Sequence, residues 1–147
     1  MKQYSAIDVA DYIVERCAEK GTPVSNLQLQ KILYYVQLNF LRKFDTCAFS
    51  DEIQAWRHGP VVREVYYKYN VFGRHAIIPK IIQTTKNIFL EKDRDLIDKV
   101  TDACMRLDPW ELVERSHKVG GPWHQSFDGD FDKIISKEVM AKYAREH

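Results

Sequence analysis

Val24-Ser25-Asn26-Leu27-Gln28-Leu29-Gln30-Lys31-Ile32-Leu33-Tyr34-Tyr35-Val36-Gln37 is the stretch on which the fold turns. Ser25 to Gln28 forms a capping box, in which the Ser25 hydroxyl accepts from a free helix amide while the Gln28 side chain reaches back to the Ser25 amide. Val24 before the cap and Leu29 after it are placed for a hydrophobic staple. Leu29, Ile32, Leu33, Val36 and Phe40 then recur at offsets of three and four, which predicts a helix running to about Lys43. Gln30, Lys31, Tyr34 and Gln37 fall on its other side and form a surface that is polar yet aromatic. Such a helix is expected to be the central one of a mainly α, compact single domain spanning 1–147.

Upstream, Ser5 caps a first helix, with Asp8 placed to reach back and Tyr4 to staple onto Val9. Ile7, Ala10, Val14 and Cys17 share its apolar face, and it ends near Lys20-Gly21. Downstream, Ile53-Gln54-Ala55-Trp56 alternates apolar and polar residues, as a short strand with one buried face does. In Trp56-Arg57-His58-Gly59-Pro60-Val61-Val62 the strand is then expected to hand over directly to a helix, with Gly59 as N-cap and Pro60 in the first helical position. Val62, Val65, Tyr66 and Tyr69 share a side of that helix until Asn70-Val71-Phe72-Gly73 breaks it.

Ile77 to Ile82 is expected to be an edge strand or merely extended, because Pro79 cannot donate to a ladder. A long helix follows from near Glu91 through Leu96, Val100, Ala103 and Leu107, and Asp108-Pro109-Trp110-Glu111 caps the next. Gly121-Pro122-Trp123 opens a short helical turn and Phe131 to Ile134 is expected to be extended. Ser136 caps a last helix, in which Ile135 can staple to Met140.

Across 147 residues, 22 Lys and Arg face 21 Asp and Glu, so no global field selects nucleic acid or an anionic membrane. Cys17, Cys47 and Cys104 are odd in number and far apart, which argues against a disulfide framework and for a reducing compartment. The first residues lead straight into a helical pattern, and no run approaches the ~18 apolar residues of a membrane span. A cytoplasmic location is the expectation.

The histidines His58, His75, His117, His124 and His147 are not paired with Cys or carboxylates at ligand spacing, so neither metal nor cofactor is expected. Ser116-His117 and Cys104 supply nucleophile and base types, but a catalytic set is recognised by geometry and not by sequence proximity. His58, set before a helix N-terminus, is expected to be a neutral hydrogen-bonding residue that holds the joint. Gly120-Gly121-Pro122 matches no phosphate loop. The tyrosines Tyr34, Tyr35, Tyr66, Tyr67 and Tyr69 are of the type that anchors protein interfaces, whereas Trp56, Trp110 and Trp123 are expected in the core.

Three segments together resemble the Panacea domain of SocA-like antitoxins, which is also met in phage-associated proteins. They are Val24 to Gln37, Ala55 to Val62, and Ser116-His117 with Gly121-Pro122-Trp123, and the likeness runs from about Ser5 to Tyr143. The resemblance implies a mostly helical, non-enzymatic antitoxin that neutralises a protein toxin encoded beside it, in bacteria or prophages. One type within the family delivers its toxin to an ATP-dependent protease, and blocker and adaptor both fit the resemblance. Combined with the polar aromatic surface, it places toxin binding on Lys31, Tyr34, Gln37 and Tyr66. It leaves Trp56, His58, Gly59, Pro60, Val61, His117, Pro122 and Trp123 as structural motif residues, with Trp56 largely buried.

Two other classes stay open. A DNA-binding regulator needs a basic recognition helix, but Arg57 to Lys68 and Lys137 to Arg145 carry Glu64 and Glu138 among their cations. A hydrolase needs a convergent polar pocket, which only a structure can show.

Overall fold

The computed structural model describes residues 3–79, 85–130 and 133–147. Its α-helices are α1 (Ala6–Glu19), α2 (Asn26–Phe44), α3 (Arg63–Lys68), α4 (Glu91–Met105), α5 (Pro109–Ser116), α6 (Pro122–Ser126) and α7 (Lys137–Glu146). Short strands β1 (Ile53–Trp56), β2 (Gly59–Val61) and β3 (Ile134–Ile135) complete a compact, mainly α domain.

Four helices start on the side chains that the sequence offers as caps. Ser5 Oγ accepts from Asp8 N at 3.1 Å, Asp108 Oδ2 from Trp110 N at 3.1 Å and Ser136 Oγ from Val139 N at 3.1 Å. At α2 both halves of the capping box form: Ser25 Oγ accepts from Gln28 N at 3.2 Å and Ser25 N donates to Gln28 Oε1 at 2.9 Å. Each bond satisfies an amide that the helix itself leaves unpaired, worth about 1 kcal/mol.

The apolar stripe of α2 lies at the centre of the molecule, packed by α1, α4, α5 and α7. Leu29, Ile32, Leu33, Val36 and Phe40 are buried there together with Ile13 and Ile97. Burying each such side chain contributes roughly 1.5–3 kcal/mol. Across the α1–α4 contact, Tyr12 Oη donates to Asp98 at 2.5 Å and Arg16 pairs with Asp102 at 2.8 Å.

The strand-to-helix joint expected at Gly59-Pro60 is instead a β-hairpin. Trp56 pairs with Gly59, Ala55 with Pro60 and Gln54 with Val61, antiparallel, and β3 flanks β1 on its other edge in the order β2-β1-β3. β2 is thus an edge strand, where the missing amide of Pro60 costs no ladder bond, and Val61-Val62 has the β-branched shape that suits a pleat. Helix α3 begins only at Arg63, with Val62 as an N-cap that offers no side-chain bond.

Of the other extended segments, Ala76 makes a lone antiparallel bridge to Ser25 and Ile77 N donates to Val24 O at 2.8 Å, but Ile77 to Pro79 form no strand. The remainder of that segment to Ile82 lies outside the described residues, as do Phe131 and Asp132. Ile134 and Ile135 pair with β1, and Ala55 N donates to Lys133 O at 2.8 Å.

Candidate functional site

The face of α2 expected at the surface is internal. Gln30, Lys31, Tyr34 and Gln37 are all buried. The reason is coverage: the hairpin, the loop after α2, and α5 and α6 close over this side, and their irregular backbone needs hydrogen-bond partners that α2 supplies. Gln37 Oε1 accepts from Ala48 N at 2.8 Å, and its amide donates to Phe49 O at 2.9 Å. Gln30 Oε1 accepts from Val62 N at 2.8 Å while its amide donates to Asn26 Oδ1 at 2.9 Å, and Asn26 in turn donates to Tyr66 O at 3.0 Å. Each amide therefore secures a turn of main chain far from it in sequence.

Lys31 occupies the middle of this row, fully enclosed, with Nζ donating to Pro60 O at 3.2 Å. Pro60 stands at a position of the hairpin whose carbonyl points away from β1, which leaves that oxygen for Lys31. Burial pulls the Lys31 pKa down to about 7, so the amine changes charge near neutrality. The turn residues Arg57 and His58 are exposed and keep negative φ, and the left-handed residue of the hairpin is Gly59, at φ 117°.

Trp123 joins the hairpin to the helices. Its ring stacks on His117 at 3.9 Å and 13°, and on Phe127 at 4.8 Å and 14°. Its indole nitrogen donates to Trp56 O at 2.7 Å, and its main-chain amide to Tyr34 Oη at 3.3 Å. Trp56 itself is half-buried, with its ring against Tyr66 at 5.1 Å, and Trp110 is 61% exposed on α5, so of the three tryptophans the core takes Trp123. Trp110 follows Pro109 in the first turn of α5, where its side chain turns outward, and the Trp56 indole nitrogen donates to Gln54 Oε1 at 2.8 Å.

Gly59, Pro60, Val61, Pro122 and Trp123 are buried, His117 is partly buried, and His58 stands exposed in the turn with no helix N-terminus beside it. The expected place of His58 before a helix N-terminus is therefore not found. At His117 burial lowers the pKa, with Lys31 and His58 adding to the effect against a backbone hydrogen bond to His58. Its Nε2 is buried without a hydrogen-bond partner.

Chemically, this cluster is a lock. Ser116 Oγ donates to Val113 O at 2.6 Å, which commits its proton to the main chain and away from His117. Burial pushes the Cys104 thiol up to about 12, far from a reactive thiolate. Sequence reasoning missed Gln30 and Asn26 as parts of the lock. A signal was present, since α2 carries no Asp or Glu along its length, unlike a solvated helix face with charges of both signs.

Fold and lock together define a small helical domain in which a central helix pins a β-hairpin and two short helices through a row of buried polar side chains. The chain belongs to the family described as antitoxin SocA-like, Panacea domain, which matches residues 29–124. It is similar to Antitoxin SocA of Caulobacter vibrioides, 32% identical over 124 residues that span 78% of this chain and 66% of that protein. No solved structure matches it significantly. Among the described residues, no helix is long and apolar enough to cross a membrane, and no group of three or more His, Cys, Asp or Glu side chains is placed to hold a metal ion.

Proposed function

We propose that this chain is an antitoxin, the non-enzymatic half of a toxin–antitoxin pair, which neutralises a protein toxin encoded nearby by direct binding in the cytoplasm. The observation that carries the reading is the 32% identity to Antitoxin SocA over most of the chain. The stretch that matches the family contains most of the lock, from Gln30 to Trp123. Three free cysteines, two of them buried, fit a reducing compartment. Of the residues assigned to toxin contact from sequence, Tyr66 retains accessible surface, whereas Lys31, Tyr34 and Gln37 contribute by holding the scaffold.

Co-expression tests this. The product of the adjacent gene is expected to arrest growth, and this chain to restore growth and to co-purify with that product. A neighbour that is harmless, or toxic but neither bound nor relieved by this chain, overturns the reading. In the rescued cells a steady toxin level indicates simple blocking, whereas a toxin level that falls only when an ATP-dependent protease is present indicates delivery to it.

A further inference from the structure

Beside the lock, and sharing Tyr34 and Ser116 with it, lies a large concavity. A groove of about 910 Å³ runs over α2, walled by α4, α5, the start of α6 and α7. Its floor is apolar, including Leu38, Leu96, Val100, Ala103, Leu107 and Leu112. On α4 and just beyond it Leu96, Val100, Ala103 and Leu107 recur at offsets of three and four, yet Ala103 is exposed and Leu107 only half-buried, so part of that stripe lacks cover among the described residues.

The rim is predominantly basic. Arg42 and Lys43 stand at the end of α2, Lys99 on α4, and Arg115 and Lys118 at and beyond the end of α5, against the lone carboxylate of Glu114. All five cations are exposed, in a chain whose 22 basic and 21 acidic residues nearly balance overall. Lys92 adds a charge beside Lys43, since both ammonium groups lie over the Phe44 ring. Arg115 reaches Glu111 at 3.7 Å, a long and exposed pair that leaves its charge largely available.

We propose that this groove receives an amphipathic helix of the protein partner, apolar on the face that enters and acidic on its flanks. The identity of the partner as a toxin rests on the antitoxin reading, but the chemistry of the groove does not. An apolar trough takes helix side chains spaced by three, four and seven residues, and cations on both lips suit carboxylates at the edges of that face. A small organic anion would need one cation at one end, and here cations stand on three separate elements.

Two labelled model peptides decide it, one helical with Leu on one face and Glu on the other, and one with Lys in place of Glu. The acidic peptide is expected to bind about tenfold or more tightly than the basic one, and to weaken as salt is raised. Ala103→Trp, which plugs the floor from an exposed position, should abolish binding, and the pair Lys99→Glu and Arg115→Glu should reverse the preference, with melting temperatures near the parent's. Equal binding of the two peptides, no binding of either, indifference to Ala103→Trp, or a groove that takes a fatty acid but no peptide would each overturn the proposal.

In the growth assay, Ala103→Trp should lose rescue while Trp110→Ala, outside the groove, keeps it. If the parent itself fails to rescue, the antitoxin reading falls while the peptide titration still judges the groove.

Discussion

Gly59 lies directly against the side chain of Lys31: a Cβ built on Gly59 would stand 2.6 Å from Lys31 Cε and 2.9 Å from Ser116 Oγ. The glycine also sits at φ 117°, which side-chain-bearing residues rarely adopt. Strain and overpacking together make Gly59→Ala cost about 2–5 kcal/mol, measured by urea unfolding. Combined with Lys31→Ala, the overpacking against Lys31 disappears while that against Ser116 Oγ and the strain remain, so the double variant should be more stable than the sum of the singles indicates. Strict additivity would show that the two residues do not press on one another.

Lys31 makes stability depend on pH in a defined window. Unfolded, it holds its proton up to its ordinary 10.5; folded, burial releases it near 7. Between these values the unfolded chain binds the extra proton, so stability rises with pH by up to about 1.4 kcal/mol per unit. Cys17 and Cys104, raised from 9.0 to about 11 and about 12 by burial, act in the opposite sense above 9, which leaves the rise cleanest from 7 to 9. Lys31→Met removes the titration and should flatten that slope in melts across this range. A parent already flat there would place the Lys31 pKa well away from 7.

Trp123 and Trp56 should separate in the same assay. Trp123 is buried between His117 and Phe127, and Trp123→Ala is expected to cost about 3–5 kcal/mol. Trp56 keeps part of its ring in solvent and its carbonyl bond to Trp123 survives truncation, so Trp56→Ala should cost less than half as much. Thermal or urea unfolding of the two variants checks the order.

Gln37 anchors the loop after α2 through Ala48 N at 2.8 Å, Phe49 N at 3.3 Å and Phe49 O at 2.9 Å. Gln37→Leu preserves bulk but leaves these main-chain groups buried and unpaired, at about 1–3 kcal/mol for each group left so. Faster hydrogen exchange at the Ala48 amide should accompany the loss of stability. Exchange at Ala48 as slow as in the parent would show that this bond does not hold the loop.

What was legible in the sequence was local. Ser25 and Gln28 are three residues apart, and so are Ser5 and Asp8 and Ser136 and Val139; bonds this short need no knowledge of the rest of the chain, so the helix starts follow from spacing alone. The stripe from Leu29 to Phe40 is equally local, because helical periodicity puts those residues on one side whatever they pack against. The Gly59-Pro60 reading failed because Gly followed by Pro suits both a helix start and the edge of a hairpin, and pairing with Ile53 to Trp56 decided between them.

By itself, then, the sequence determined a capped, mainly helical chain with α2 at its centre and the motif that marks its family. Tertiary structure alone decided which side of α2 meets water. A helix has two faces, and Gln30, Lys31, Tyr34 and Gln37 are polar enough for solvent; they are buried because Val62, Pro60, Trp123 and Ala48, 11 to 89 residues away, bring main-chain groups that replace water as hydrogen-bond partners. Desolvating a polar side chain is unfavourable until such a partner arrives, and only the folded chain brings it.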